Sequence, residues 1–169
     1  MDGRIFLSPD MAMYERVEVL KGPAGILNGA GGTGGSINLV RKRPQAEAAF
    51  SGELSAGSWD DYRSMIDVTG PLTESGNVRG RFVSAYQDNE SYIDRFNERK
   101  KIFYGVVEAD LTPDTMLTFG MDSQSFDSDD HARSGLPLFN NDGSMADWSK
   151  SDSAATSWAY SKRHFVSLF

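Results

Sequence analysis

From residue 49 onward the chain alternates large apolar and polar residues with a period of two, in segments divided by turn-forming residues. In 49–57, Phe50, Gly52, Leu54 and Ala56 fall on one side and Ser51, Glu53 and Ser55 on the other. Tyr62, Ile66, Val68 and Leu72 oppose Arg63, Asp67 and Thr69 in 62–72, and Val78, Phe82 and Tyr86 oppose Arg79, Arg81 and Gln87 in 78–88. The same division recurs in 101–111, with Phe103, Val107 and Leu111 against Tyr104, Glu108 and Asp110. In 116–126 it sets Leu117, Phe119 and Met121 against Thr118, Asp122 and Gln124. Successive side chains of an extended chain point to opposite faces, so these five segments, with a sixth over 156–169, predict an antiparallel, mostly all-β fold.

The connections differ in kind. "TESGN" and "TPDT" are tight turns, whereas 89–99 and 127–152 are longer and polar, as expected of a barrel with one rim of turns and one of elaborated loops. A soluble antiparallel sheet with one solvated face gives the same alternation, so periodicity leaves both architectures open. Ahead of Pro44 the pattern changes to two apolar, β-branched segments, 16–20 and 36–40. They are separated by "KGPAGILNGAGGTGG", in which "PAGIL" is at most one short helix.

Composition narrows the function classes. The formal charge is −7, with 17 basic and 24 acidic residues, which disfavours nucleic acid as a partner of the whole chain; the basic cluster Arg41-Lys42-Arg43 is local. There is no cysteine, hence no disulfide and no thiolate metal site, and His131 and His164 are single polar residues assigned to no metal. The first residues lack the basic and apolar regions of a secretory signal. No apolar run approaches the roughly 18 residues of a membrane-spanning helix, which says nothing against strands that cross a membrane.

The stretch "NGAGGTGGS" (28–36) fits G-x-G-x-x-G through Gly29, Gly31 and Gly34, and nearly fits a phosphate-binding loop. A dinucleotide site needs a helix directly after the glycines, and "SINLVRKRP" favours an extended chain instead. Gly35 stands where the phosphate-binding lysine belongs. A nucleotide site is therefore not expected.

The flanks of that loop carry a stronger signal. "YERVEVLKGPAGILNGAGGTGGSINLVRKRP" (14–44) resembles the C-terminal part of the plug domain of TonB-dependent outer-membrane receptors, matching at Glu15 to Pro23, Leu27, Gly29, Gly34, Gly35, Asn38 to Val40 and Lys42 to Pro44. Downstream, "SAGSWDDYR", "VTGPL", "VRGRFVSAYQD", "DRF", "KIFYGVVEADLTPDT" and "SGLPLF" resemble the ferric-siderophore branch of that family, receptors of the ferripyoverdine type in particular. The resemblance implies that 1–44 are the C-terminal part of a plug and 45–169 the first strands of a transmembrane β-barrel, incomplete at about six of the roughly 22 strands such a transporter has. It implies the outer membrane of a Gram-negative bacterium, uptake of a ferric siderophore energised through TonB, contact with outer-membrane lipid, and no enzymatic chemistry or covalently bound cofactor. The TonB contact segment is absent from this sequence, and on this reading the chain is a fragment that does not insert or transport alone. A signalling receptor of the same family and a soluble antiparallel ligand-binding domain are the alternatives.

Two groups of residues acquire expected roles from that resemblance. Asn28, which stands where relatives carry a tyrosine, and Gly29 are expected near ligand, with Tyr92, Phe96, Phe139 and Trp148 of the long polar loops. Glu15, Arg16, Glu18, Arg41 and Arg43 of the plug are expected to face Glu53, Arg79, Arg81, Glu108 and Asp110 of the barrel lumen and hold the two together.

Overall fold

The computed structural model describes residues 9–22, 35–132 and 134–169. Asn28, Gly29 and the "PAGIL" segment lie outside the described residues. Strands β1 (Tyr14–Lys21) and β2 (Gly35–Arg41) form an antiparallel two-stranded ribbon. Strands β3 (Ala49–Gly57), β4 (Asp61–Pro71), β5 (Val78–Glu90), β6 (Asn97–Thr112), β7 (Thr115–Asp129) and β8 (Tyr160–Leu168) form one sheet in sequence order, each antiparallel to the next. The sequence expectation of an all-β chain built as a meander agrees with this. The one helical element among the described residues is a 3-10 turn, Met11–Met13, capped by Asp10, whose Oδ1 accepts from the Ala12 amide at 2.9 Å.

Strands β5, β6 and β7 run further than their apolar residues. Asn89 pairs with Glu98 and Glu90 with Asn97, so backbone bonding continues through a stretch that reads as a polar loop. Ion pairs Arg99–Asp88 (3.8 Å) and Lys100–Glu98 (2.9 Å) decorate that extension. Polar side chains do not end a strand whose neighbours still offer a ladder. On one rim the connections are short, at 72–77 and 113–114. On the other they are 58–60, 91–96 and 130–159.

The two faces of the sheet are reversed relative to a water-soluble one. Its apolar face is bare: Phe50 is 72% exposed, Leu54 87% and Phe119 64%, with Tyr62, Val68, Leu72, Phe103 and Leu111 also open. Its other face is covered, and on that face Asp67, Glu108 and Asp122 are each at most 4% exposed. The cover is the 3-10 turn and the base of the ribbon. Ala12 and Met13 pack there on Val83, Ala85, Ile102, Tyr104, Val106 and Phe126, with Tyr14 and Met65 at the margin. A soluble sheet gains stability by hiding its apolar face, so this arrangement does not fit the soluble alternative.

Candidate functional site

The base of the ribbon meets the sheet through three consecutive cations. Arg41 ends β2, and the chain then runs extended through Lys42 and Arg43 to Pro44. Arg41 Nη2 lies 3.1 Å from Asp122 Oδ2 on β7, Lys42 Nζ 2.9 Å from Asp67 Oδ2 on β4, and Arg43 Nε 2.7 Å from Glu108 Oε1 on β6. An extended backbone turns successive side chains in different directions, so one tripeptide reaches three strands. The hydrogen bond and charge of Glu108 raise the Arg43 pKa above its ordinary value, which keeps that guanidinium charged.

The sheet also binds the backbone of the same segment. Tyr104 Oη donates to the Lys42 carbonyl at 2.6 Å, Arg81 Nη1 to the Arg43 carbonyl at 3.0 Å, and the Gln45 amide donates to Thr69 Oγ1 at 2.8 Å. Arg81 in turn grips both oxygens of Asp67, at 2.8 and 2.7 Å, and Arg79 pairs with Asp110 at 3.0 Å beside Glu108. Each of these buried carboxylates therefore has a cation from residues 41–43, and Asp67 and Glu108 have a second from their own sheet. Buried charges are tolerable only when paired and hydrogen-bonded in this way.

A second link closes the other strand of the ribbon. Arg63 on β4 holds Asp10 through two parallel bonds of 2.8 Å, and Gln87 accepts from Arg63 at 3.1 Å while donating to Asp61. Burial works against the Asp10 carboxylate, yet the bonds from Arg63 and the Ala12 amide hold its pKa below the usual carboxylate range. The Lys42 amide donates to the Met13 carbonyl at 3.0 Å, which ties the two links to each other.

Of the residues expected to join plug and lumen, Arg41, Arg43, Arg79, Arg81, Glu108 and Asp110 fall in this cluster. Arg16 and Glu18 instead pair with each other at 2.8 Å, and Glu18 also takes a bond from Asn38 at 2.9 Å. Those two contacts, Asn38 first, hold the Glu18 pKa below its ordinary value. Glu15 and Glu53 make no hydrogen bond or ion pair among the described residues. Lys42, Asp67, Asp122, Asp10, Arg63 and Tyr104 are in the cluster too, although they are not among the residues the sequence leads one to expect at this contact. Carboxylates on the polar face of β4 and β7 were the available signal, since each stands among inward-facing positions.

The expected ligand-facing aromatics sit on the long-loop rim with different partners. Tyr92 meets Trp59 edge-on at 6.1 Å, Phe96 lies 6.2 Å from His131, Phe139 bridges to Met145, and Trp148 Nε1 donates to the Pro137 carbonyl at 2.8 Å. The two longer loops dock together: the Asp94 amide bonds the Ser151 carbonyl at 2.8 Å, and Arg95 Nη2 bonds the Ala155 carbonyl at 2.9 Å. A concavity of about 640 Å³ lies elsewhere, on the bare apolar face, lined by Val68, Leu72, Phe82, Val107 and Phe119. That lining suits an acyl chain better than a polar chelate.

With this geometry in place, comparison with known proteins is direct. Residues 2–36 match the family described as TonB-dependent Receptor Plug Domain. The chain is 50% identical to the ferripyoverdine receptor of Pseudomonas aeruginosa over 161 residues, covering 95% of this chain and 20% of that one. This chain belongs to the TonB-dependent receptor family. It is also 44% identical to the ferric-pyoverdine BN7/BN8 receptor of Pseudomonas putida over 162 residues, 96% of this chain and 20% of the relative. A crystal structure of the ferripyoverdine receptor of the P. aeruginosa outer membrane, bound to ferripyoverdine, superposes with a TM-score of 0.90 over 94% of this chain and 21% of that one. The chain thus spans about a fifth of the length of the curated relatives it matches. TonB-dependent receptors are outer-membrane proteins of Gram-negative bacteria, which places this chain in that membrane.

Proposed function

We propose that these residues belong to a receptor that takes up ferric siderophores across the outer membrane with energy delivered through TonB. On this reading 1–44 are the C-terminal part of the plug, and 45–169 are the first barrel strands. The observation that carries it is the reversed sheet, with a bare apolar face outside and paired charges inside. Leu111 follows Phe103 by eight residues on the same face of β6. That is about 27 Å along a strand, or roughly 20 Å across a bilayer at barrel tilt, comparable to the ~25 Å apolar band of such barrels.

The cluster around 41–43 then holds the end of the plug to the lumen wall. Ion pairs suit a joint beside a movable body, because exposed partners exchange one another for water at little net cost, while Asp67, Glu108 and Asp122 stay buried and need their cations. Exposed Tyr92, Phe139 and Trp148, with Phe96, supply aromatic surface on the long-loop rim for a chelator. The ligands named for the relatives support a ferric siderophore as the cargo. The test is uptake of ⁵⁵Fe-pyoverdine by cells whose only siderophore receptor is the full-length protein. Uptake that disappears when TonB is deleted is expected; absence of binding to any ferric siderophore, or uptake indifferent to TonB, would overturn the reading.

A further inference from the structure

Arg41 is held by more than its ion pair. Its guanidinium lies 4.4 Å from the centre of the Phe169 ring, and that ring stacks on Tyr104 at 6.4 Å with planes 18° apart. Ser167 Oγ accepts weakly from Arg41 Nη2 at 3.5 Å, and Arg41 Nε has no hydrogen-bond partner. Tyr104 is the residue whose hydroxyl binds the Lys42 carbonyl, so ring, phenol and exit segment form one stack.

The space for this stack comes from Gly120. Gly120 and Phe169 exchange both backbone hydrogen bonds, at 2.8 and 3.0 Å, as directly opposed residues. A Cβ built on Gly120 would collide with Cζ and Cε2 of the Phe169 ring. An aromatic ring laid over a cross-strand glycine is a known way for a sheet to cover that glycine, and the covered ring face is fixed in place. A guanidinium over such a face is attracted to its electrons, and more strongly where water is partly excluded.

We infer that Gly120 and Phe169 are positioning residues: together they build an aromatic shelf that fixes Arg41, and through Tyr104 the Lys42 carbonyl, making 41–43 the stationary end of the ribbon. The inference rests on the reading of this segment as the plug's exit into the barrel. Among the described residues the carboxylates of Asp67, Glu108 and Asp122 take their ion pairs from Arg and Lys side chains, and Gly120 and Phe169 offer them none. They act by setting where the Arg41 guanidinium lies and by holding the Tyr104 ring that binds the exit backbone.

Amide hydrogen exchange on the full-length receptor in detergent micelles, without ligand, reads this directly at the Lys42 amide. Phe169→Ala and Gly120→Ala are each expected to speed exchange at Lys42 by about tenfold or more while the β6–β7 ladder keeps its protection, and Phe169→Tyr is expected to keep the original rate. Unchanged exchange in Phe169→Ala, equal loss of protection across β7 and β8, or a Phe169→Tyr variant that behaves like Phe169→Ala would overturn the shelf. Should Gly120→Ala fail to assemble, the Phe169 pair decides alone. Because no ligand is present, selective loosening in a receptor that takes up no ferric chelate would refute the proposed transport and leave the shelf standing.

Discussion

The two faces of the six-stranded sheet are made of the same strands and follow opposite rules. Outside, Phe50, Leu54 and Phe119 stand open with no protein cover among the described residues. Inside, three carboxylates are nearly sealed from solvent and satisfied by cations from a different segment of the chain. The difference shows that alternation alone fixes the faces, while the solvent each face meets decides which of them is buried. On the proposed reading lipid takes the apolar face, and the ribbon covers the charged one.

The largest effect is expected where the inner face is broken. Asp67→Ala leaves both Lys42 and Arg81 without their shared carboxylate in a covered site, and should destabilise the full-length receptor by about 3–5 kcal/mol in urea titrations. Next comes the outer face. Phe119 lies opposite Val107, four residues from either end of the apolar stretch of β6, so Phe119→Arg should cost about 2–4 kcal/mol in bilayers. Ser125→Arg, nearer the long-loop rim, should cost about 0–1 kcal/mol, and equal costs at the two positions would contradict a lipid-facing band.

Much of this contrast was legible in the sequence. The period-two pattern set every strand of the sheet and separated its faces, because side-chain direction follows from the extended backbone itself. The ends of β5 and β6 were not, since Asn89, Glu90 and Asn97 to Arg99 carry no apolar mark and their pairing depends on neighbours. In the cluster, Arg41 and Arg43 stood out as part of a basic run, but Lys42 with Asp67 and Arg41 with Asp122 required knowing which strand each consecutive side chain meets. Asp10 is 53 residues from Arg63, and no local pattern joins them.

A smaller effect is expected from acid. Because the Asp10 carboxyl is held below its ordinary pKa of about 3.8, its contribution is fully present above that pH and is lost as pH falls through the lower folded value. Asp10→Asn should therefore flatten the stability profile below about pH 4 in acid titrations of the receptor, with little change at pH 7 beyond the lost ion pair. The smallest effect belongs to the ribbon's exposed pair. Arg16→Glu replaces the bond between two open side chains by a like-charge pair that water screens, and should leave the urea midpoint and plug retention nearly unaltered.

The contrast between the faces has one direct readout. These 169 residues contain no cysteine, so single cysteines at 103, 107 and 111 and at 104, 108 and 110, in a full-length receptor with any cysteine elsewhere replaced by serine, can each carry a spin label. In lipid vesicles the odd-numbered labels should relax with oxygen dissolved in the bilayer and ignore a water-soluble nickel chelate, and the even-numbered labels should show no such preference for oxygen. Equal oxygen access on both sets, or a preference on the even one, would contradict a sheet that turns its apolar face to lipid and its charges to the ribbon.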